Sequence, residues 1–304
     1  MRRLALLLAA LLLLTACGDD ATTPTPTPTT TATEPTPEAT PTGEPTATAT
    51  PTPTETAGEP TDEPGDGATT ATAFFVRSDD SGLWVEPATR ELEEPTVGVA
   101  GAAIEFLLEG GTADPNLQTL AGPGVSLLGV NITEGTLVVD LSEELRNNRS
   151  GSAGELAFAQ QLAHTAAQFD GVERVQLRLG GAEISDLWGH LDWSQPIEPD
   201  PFAQSPITFS SHTWGQQVPA GQVTVGGEAT VFEATIELRL LGPDGDVIEE
   251  TFATASEGAP GRGTWEHTFA LEGAAPWTIE AIEPDPSDGE GRPPFRTTLE
   301  LRSS

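Results

Sequence analysis

The chain has a single cysteine, Cys17, in 304 residues and no lysine, so all 13 of its basic residues are arginines. One cysteine excludes an internal disulfide, and the folded parts must be stabilised by their cores even in an oxidising compartment. Positive charge is scarce, because 47 acidic residues bring the formal charge to −34. Nucleic acid and anionic headgroups would be repelled, and no nucleic-acid partner is expected. A GC-rich coding bias toward Arg, solubility or a salty habitat covers most of this excess, and a specific cationic partner is the sharper alternative. Long hydrophobic runs are missing too. The longest, Leu4 to Leu14, is about half of the ~20 residues that a membrane-crossing helix needs. Residues 18 to 71 contain no Leu, Ile, Val or aromatic residue, and such a stretch cannot bury enough apolar surface to offset its ordering entropy.

What is present begins with Met1-Arg2-Arg3, the Leu/Ala run and Leu14-Thr15-Ala16-Cys17. This is the charged n-region, short h-region and small-residue cleavage site of an export signal. Its last four residues resemble the bacterial lipobox. The resemblance implies recognition of Leu14, Thr15 and Ala16 by signal peptidase II, cleavage before Cys17, and a diacylglyceryl group on the Cys17 thiol. The bland alternative is an ordinary signal peptide with a chance cysteine. The expected address is the outer face of the cytoplasmic membrane, with the membrane itself a partner through the anchor. Two acyl chains suffice for stable anchoring, since each buried CH₂ contributes about 0.8 kcal/mol. Residues 1–16 are then the signal peptide and 17–71 a linker with ten carboxylates and no basic residue. Fully extended at ~3.1 Å per residue, the linker would reach roughly 170 Å. Its composition also suits O-glycosylation.

The first folded region, 72–195, opens with strand candidates Thr72–Val76 and Leu83–Val85. A helix follows, capped by Thr96, striped by Ala100, Ala103, Ile104 and Leu107, and stopped by Gly110-Gly111. Val125–Thr133 and Thr136–Leu141 read as a hairpin around the two-residue turn Glu134-Gly135. Ser152-Ala153-Gly154-Glu155 has the form of a capping box. Behind it Phe158, Leu162, Ala166 and Phe169 share one face, while Gln160, Gln161, His164 and Gln168 are expected to face solvent. Val175, Leu177 and Leu179 alternate as in a half-buried strand. An α+β layer with two helices on one sheet face follows.

The runs Ala102–Gly110, Asn131–Ser142 and Leu162–Val172 resemble the GerMN domain of sporulation and germination proteins, which is also found in actinobacterial lipoproteins. Asp170, where members commonly have Pro, and His164, near which they have an aromatic residue, depart from the pattern without threatening the fold. The resemblance implies a non-catalytic module.

Pro196–Pro201 breaks the periodicity and marks a boundary. In 205–304 seven strands are expected: Ile207–Ser210, Gln222–Gly226, Thr235–Leu241, Val247–Ala253, Thr264–Leu271, Trp277–Ile282 and Phe295–Leu301. They suggest a β-sandwich without an inter-sheet disulfide. Gly227–Ile236 and Ala253–Trp265 resemble the Gmad2 domain, an immunoglobulin-like module associated with spore germination. The full expectation is a disordered Thr/Pro-rich linker, a GerMN-like sheet with two helices, and an all-β immunoglobulin-like sandwich.

Chemistry is sparse. There is no Gly-x-Ser-x-Gly, no His-Glu-x-x-His and no phosphate-cradling loop. His164, His190, His212 and His267 are scattered, with His164 expected to be solvated and His267 to sit at a strand rim beside Trp265 and Phe269. Glu283, Asp285, Asp288 and Glu290 crowd one loop without the spacing of a Ca²⁺ hand, and read as solvated. Asn131-Ile132-Thr133 matches a glycosylation acceptor inside a strand. One candidate binding loop remains, Ser256–Gly263, with Ser256, Glu257 and Arg262 as its recognition groups, against the plainer reading that Arg262 pairs with Glu257. Neither enzyme nor cofactor nor metal is expected. The leading function is an anchored pair of binding modules for envelope proteins, in sporulation, germination or envelope signalling. Its rival is a cell-wall glycan binder using Trp188, Trp193 or Trp214, and an envelope hydrolase ranks last.

Overall fold

The computed structural model describes residues 68–96, 98–284 and 293–304, all within the compact unit Thr61–Ser304. Strands β1 (Ala68–Asp79) and β2 (Gly82–Thr96) form a long antiparallel hairpin. Its turn is set by Asp79, whose Oδ1 accepts from the N–H groups of Ser81 and Gly82, the local bond that favours Asp in turns. A short β3 (Leu117–Gln118) pairs with the other edge of β1, giving the order β2-β1-β3. The second sheet runs β4 (Leu127–Thr133), β5 (Thr136–Leu141), β6 (Arg174–Leu179) and β7 (Ala182–Glu183). The β4–β5 turn is Glu134-Gly135, with φ of 50° and 75°, the paired positive angles a tight hairpin demands. Strands β5 and β6 are parallel, so the chain between them must cross over. It does so through α2 (Ser152–Ala167).

Helix α1 (Val99–Glu109) and α2 both contact both sheets, so the expected placement on one sheet face is corrected. The continuous core draws Phe75 from β1, Ile104 and Leu107 from α1, Leu137 and Val139 from β5, Phe158 and Leu162 from α2, and Leu177 from β6. With cover on two sides, α2 has no solvent face in its central turns: Gln160, Gln161 and His164 are buried, against the expectation. Each has a backbone to serve. Gln161 donates to the carbonyls of Phe74 and Gln118 and accepts from Leu120 N–H, Thr165 accepts from Phe74 N–H, and Gln168 donates to the Thr72 carbonyl. These three, at i, i+4 and i+7, satisfy the edge of β1 where β3 has run out.

The helix starts also differ from expectation. Gly151 and Gly98 are the N-caps, neither with a side-chain cap bond. Thr96 Oγ1 accepts from Gly98 N–H ahead of α1. Glu155 turns inward, fully buried. Its carboxylate accepts from Trp188 N–H, His190 N–H and Trp193 Nε1–H at 3.2, 2.9 and 2.8 Å, fixing the segment after β7.

The second module is a sandwich. One sheet has the order β13-β10-β8 and the other β12-β11-β14-β15-β9. In chain order these are β8 (Ile207–Phe209), β9 (Gln216–Val218), β10 (Gly221–Ala229), β11 (Thr235–Leu241), β12 (Val247–Thr254), β13 (Gly263–Leu271), β14 (Trp277–Ile282) and β15 (Arg296–Ser303). All seven expected strands are present. The eighth, β9, is three residues of Gln-Gln-Val paired in parallel with β15, too short and polar to carry a period. Trp265, Phe269, Trp277 and Phe295 fill the space between the sheets. No helix among the described residues is long and apolar enough to cross a membrane.

Candidate functional site

The seam between the modules concentrates the buried charge. Alternation on β1 sends Ala71, Ala73 and Phe75 inward, and one further step places Arg77 on the same face. Its guanidinium donates to Glu86 of β2 at 2.6 and 3.0 Å and to Asp114 at 2.7 Å. Burial alone would lower the Arg77 pKa, and the attraction of Glu86 and Asp114 outweighs it, so the pKa lies above its ordinary value. Glu86 also accepts from Ser205 Oγ at 2.6 Å, which ties the ion cluster to the start of the second module. Ser205 N–H donates to the Val85 carbonyl, and Val85 bridges Gln204 in parallel. Trp84 packs against the sandwich core, its ring 5.8 Å from Phe295 and nearly edge-on.

The Pro-rich boundary segment is equally fixed. Ile197 exchanges both backbone bonds with Val175 of β6. Gln160 accepts from Asp200 N–H at 2.7 Å and donates to the Glu198 carbonyl. His164 Nε2 bonds the Asp200 carbonyl at 2.9 Å, and its Nδ1 meets Gln204 Nε2 at 3.0 Å. A carbonyl only accepts, so Nε2 carries the proton and Nδ1 is the acceptor. That is a neutral imidazole, in accord with a pKa lowered by burial. The expectation of a solvated His164 is thereby corrected.

Above the ion cluster lies a cleft of about 200 Å³, lined from one module by Arg77, Glu86, Thr89 and Asp114 and from the other by His212 and Trp214, among others. Burial holds His212 below the usual histidine pKa, which favours the neutral imidazole. Sequence reasoning missed this site. The inward position of Arg77 was legible from strand alternation, but Asp114 reaches it from a loop 37 residues away.

The other expected site residues fall as follows. Leu14, Thr15, Ala16 and Cys17 lie outside the described residues, as do Asp285, Asp288 and Glu290. Arg262 does not pair with Glu257: it donates to Glu228, the Ser205 carbonyl and Thr208, bracing the sandwich against the boundary segment. Ser256 exchanges bonds with Thr264 at the base of the loop, and Glu257 is exposed. Trp193 is fully buried on Glu155, and Trp188 is half-buried with its Nε1 on the Leu145 carbonyl. Trp214 lines the cleft between the modules. His267 sits against Phe269 with Glu249 at 3.6 Å, a rim position. Asn131 bonds Thr133 on the exposed strand β4. No group of three or more metal-ligating side chains occurs among the described residues.

An α+β module with its helices between two sheets, joined by a buried ion cluster to an all-β sandwich, defines a bimodular head. Residues 72–185 match the Germane family, described as sporulation and spore germination, and residues 207–290 match Gmad2, the immunoglobulin-like domain of bacterial spore germination. The chain thus carries a GerMN domain followed by a Gmad2 domain, both from non-catalytic families. Over 92 residues it is 29% identical to the spore germination protein GerM of Bacillus subtilis (strain 168), a match spanning 29% of this chain and 25% of that relative. Among solved structures, the first GerMN domain of B. subtilis GerM is 22% identical, with 43% of this chain and 98% of that one covered, at a TM-score of 0.36. A putative lipoprotein from Clostridium perfringens is 16% identical, with coverage of 43% and 88% and a TM-score of 0.31.

Proposed function

We propose that this protein is a lipid-anchored envelope component on the outer face of the cytoplasmic membrane, whose two modules act as one rigid, non-catalytic head that docks to another envelope protein. The observation that supports docking is strand β12. Among the described residues it is an edge strand of the five-stranded sheet, and Val247, Ile248 and Phe252 on it are 53%, 49% and 60% exposed. A sheet edge that exposes apolar side chains can pair with an added strand. Glu249 and Glu250 on the same strand disfavour self-pairing, because two antiparallel copies would set like charges opposite one another. The glycan reading loses two of its three aromatics to the core of the first module. Sporulation or germination is the setting that both family descriptions name.

The test is crosslinking in living cells from a photoreactive residue at Phe252 of the full-length lipoprotein. A discrete protein adduct, lost in a Val247→Glu/Ile248→Glu double variant, is the expected result. Adducts to wall glycan alone would overturn the protein version. Cys17→Ser should abolish lipid labelling, and labelling that persists would refute the anchor. Hydrolysis of a wall or ester substrate that disappears on replacing one polar residue would overturn the non-catalytic reading.

A further inference from the structure

We propose that the cleft between the modules receives one cationic side chain, the guanidinium or ammonium of an arginine or lysine on the protein partner. The inference rests on the docking reading and gives it a recognition point separate from β12. Both modules build the cleft, so it exists only when they are joined. Its volume of about 200 Å³ falls below the roughly 300–1,000 Å³ of sites for drug-sized ligands, and is on the scale of one long side chain.

Charge selects the guest. Among the lining residues, Glu86 and Asp114 are acidic and Arg77 alone is basic, an excess of one negative charge in a partly enclosed site. A carboxylate offers about four lone-pair positions. Glu86 Oε1 accepts from Arg77 Nε and Ser205 Oγ, and Asp114 Oδ1 accepts twice from Asn116. Glu86 Oε2 and Asp114 Oδ2 each accept once, both from Arg77 Nη2. Among the described residues, these two oxygens, which share the Arg77 Nη2 donor, therefore keep one open acceptor position each. A cation can take both, whereas an anion is repelled and a neutral sugar leaves the excess charge uncompensated. Trp214 supplies a half-buried indole on the wall, the preferred ring for a cation, and Leu117 and Leu299 offer apolar surface to an aliphatic stem.

Calorimetric titration of the full-length lipoprotein in detergent with Nα-acetyl-arginine-methylamide tests this. Saturable binding is expected, weakened about tenfold when citrulline replaces arginine, the loss produced by about 1.4 kcal/mol. Asp114→Asn should weaken binding similarly. Because that residue also steadies Arg77, Trp214→Ala provides a second variant whose side chain makes no hydrogen bond among the described residues. It should weaken binding with little change in melting temperature. Absence of saturable heat at millimolar arginine derivative would overturn the cleft proposal, as would equal binding of the citrulline analogue or of N-acetylglucosamine. If Phe252 crosslinks to a protein while the derivative does not bind, docking stands and the cleft proposal fails. If the derivative binds and no protein is captured at β12, the docking surface is refuted and the cation site stands.

Discussion

Glu155 shows how a residue can fit one motif and serve another purpose. The Ser-x-x-Glu spacing predicts a reciprocal cap, yet Gly151 starts the helix and the carboxylate is sealed inside beneath three N–H donors. The sequence signal for those donors was the Trp188–Trp193 segment, which reads locally as exposed aromatics and becomes core only when α2 lies beneath it. Glu155→Ala should cost about 3 kcal/mol, since bonds to a charged group contribute roughly 1.5–3 kcal/mol and the donors would be left buried. Urea midpoints would check this, and a variant as stable as wild type would refute the role. His164 gives a pH effect of definite sign. Its folded pKa lies below the ordinary histidine value of 6.5, chiefly through burial, with the Asp200 carbonyl, the Asp200 charge and Arg262 as its surroundings. Below about pH 6.5 the unfolded chain binds the extra proton, so stability falls as pH drops through that value and stops falling below the folded pKa. His164→Gln should flatten this part of the stability profile between pH 7.5 and pH 5 relative to wild type, as read from denaturant midpoints.

At the scale of elements, most of the fold was legible. Alternation in β6 and β11, the Glu134-Gly135 turn and seven sandwich strands all follow from local pattern and turn chemistry. Helix α2 was placed correctly and oriented wrongly. Its Gln161, Thr165 and Gln168 form a polar stripe that single-sequence periodicity assigns to water, because nothing local indicates that β3 stops after two residues and leaves β1 an open edge. The correct partner is a backbone 87 residues away. Gln161→Leu, similar in size, should lower stability by about 2–3 kcal/mol, because it strands the Phe74 and Gln118 carbonyls and the Leu120 N–H in the interior. Hydrogen exchange at Leu120 should accelerate in that variant, and unchanged protection would argue against the edge role.

For the whole molecule, the seam decides behaviour. Two family matches and a Pro-rich junction suggest beads on a string, whereas Glu86, Ser205, Trp84 and the clamped residues Ile197–Gln204 join the modules through buried bonds and ring packing. None of these pairings has a sequence signature, as each depends on which faces the two folds present. A single cooperative unfolding transition is therefore expected. A Trp84→Ala/Ser205→Ala double variant should separate it into two, visible by calorimetry, and a wild type already unfolding in two steps would refute the coupling.

Strand β1 carries a further consequence. It begins at Ala68, on the side where the chain leads back toward Cys17, and Arg77 near its other end forms part of the cleft floor. In a head anchored at its N-terminus and gripped at that cleft, tension would enter one end of β1 and leave near the other. The load runs lengthwise, so the ladder to β2 and the bonds from α2 are sheared together instead of being peeled one at a time. If the head is anchored and gripped as proposed, the strand that organises the first module is also its mechanical spine.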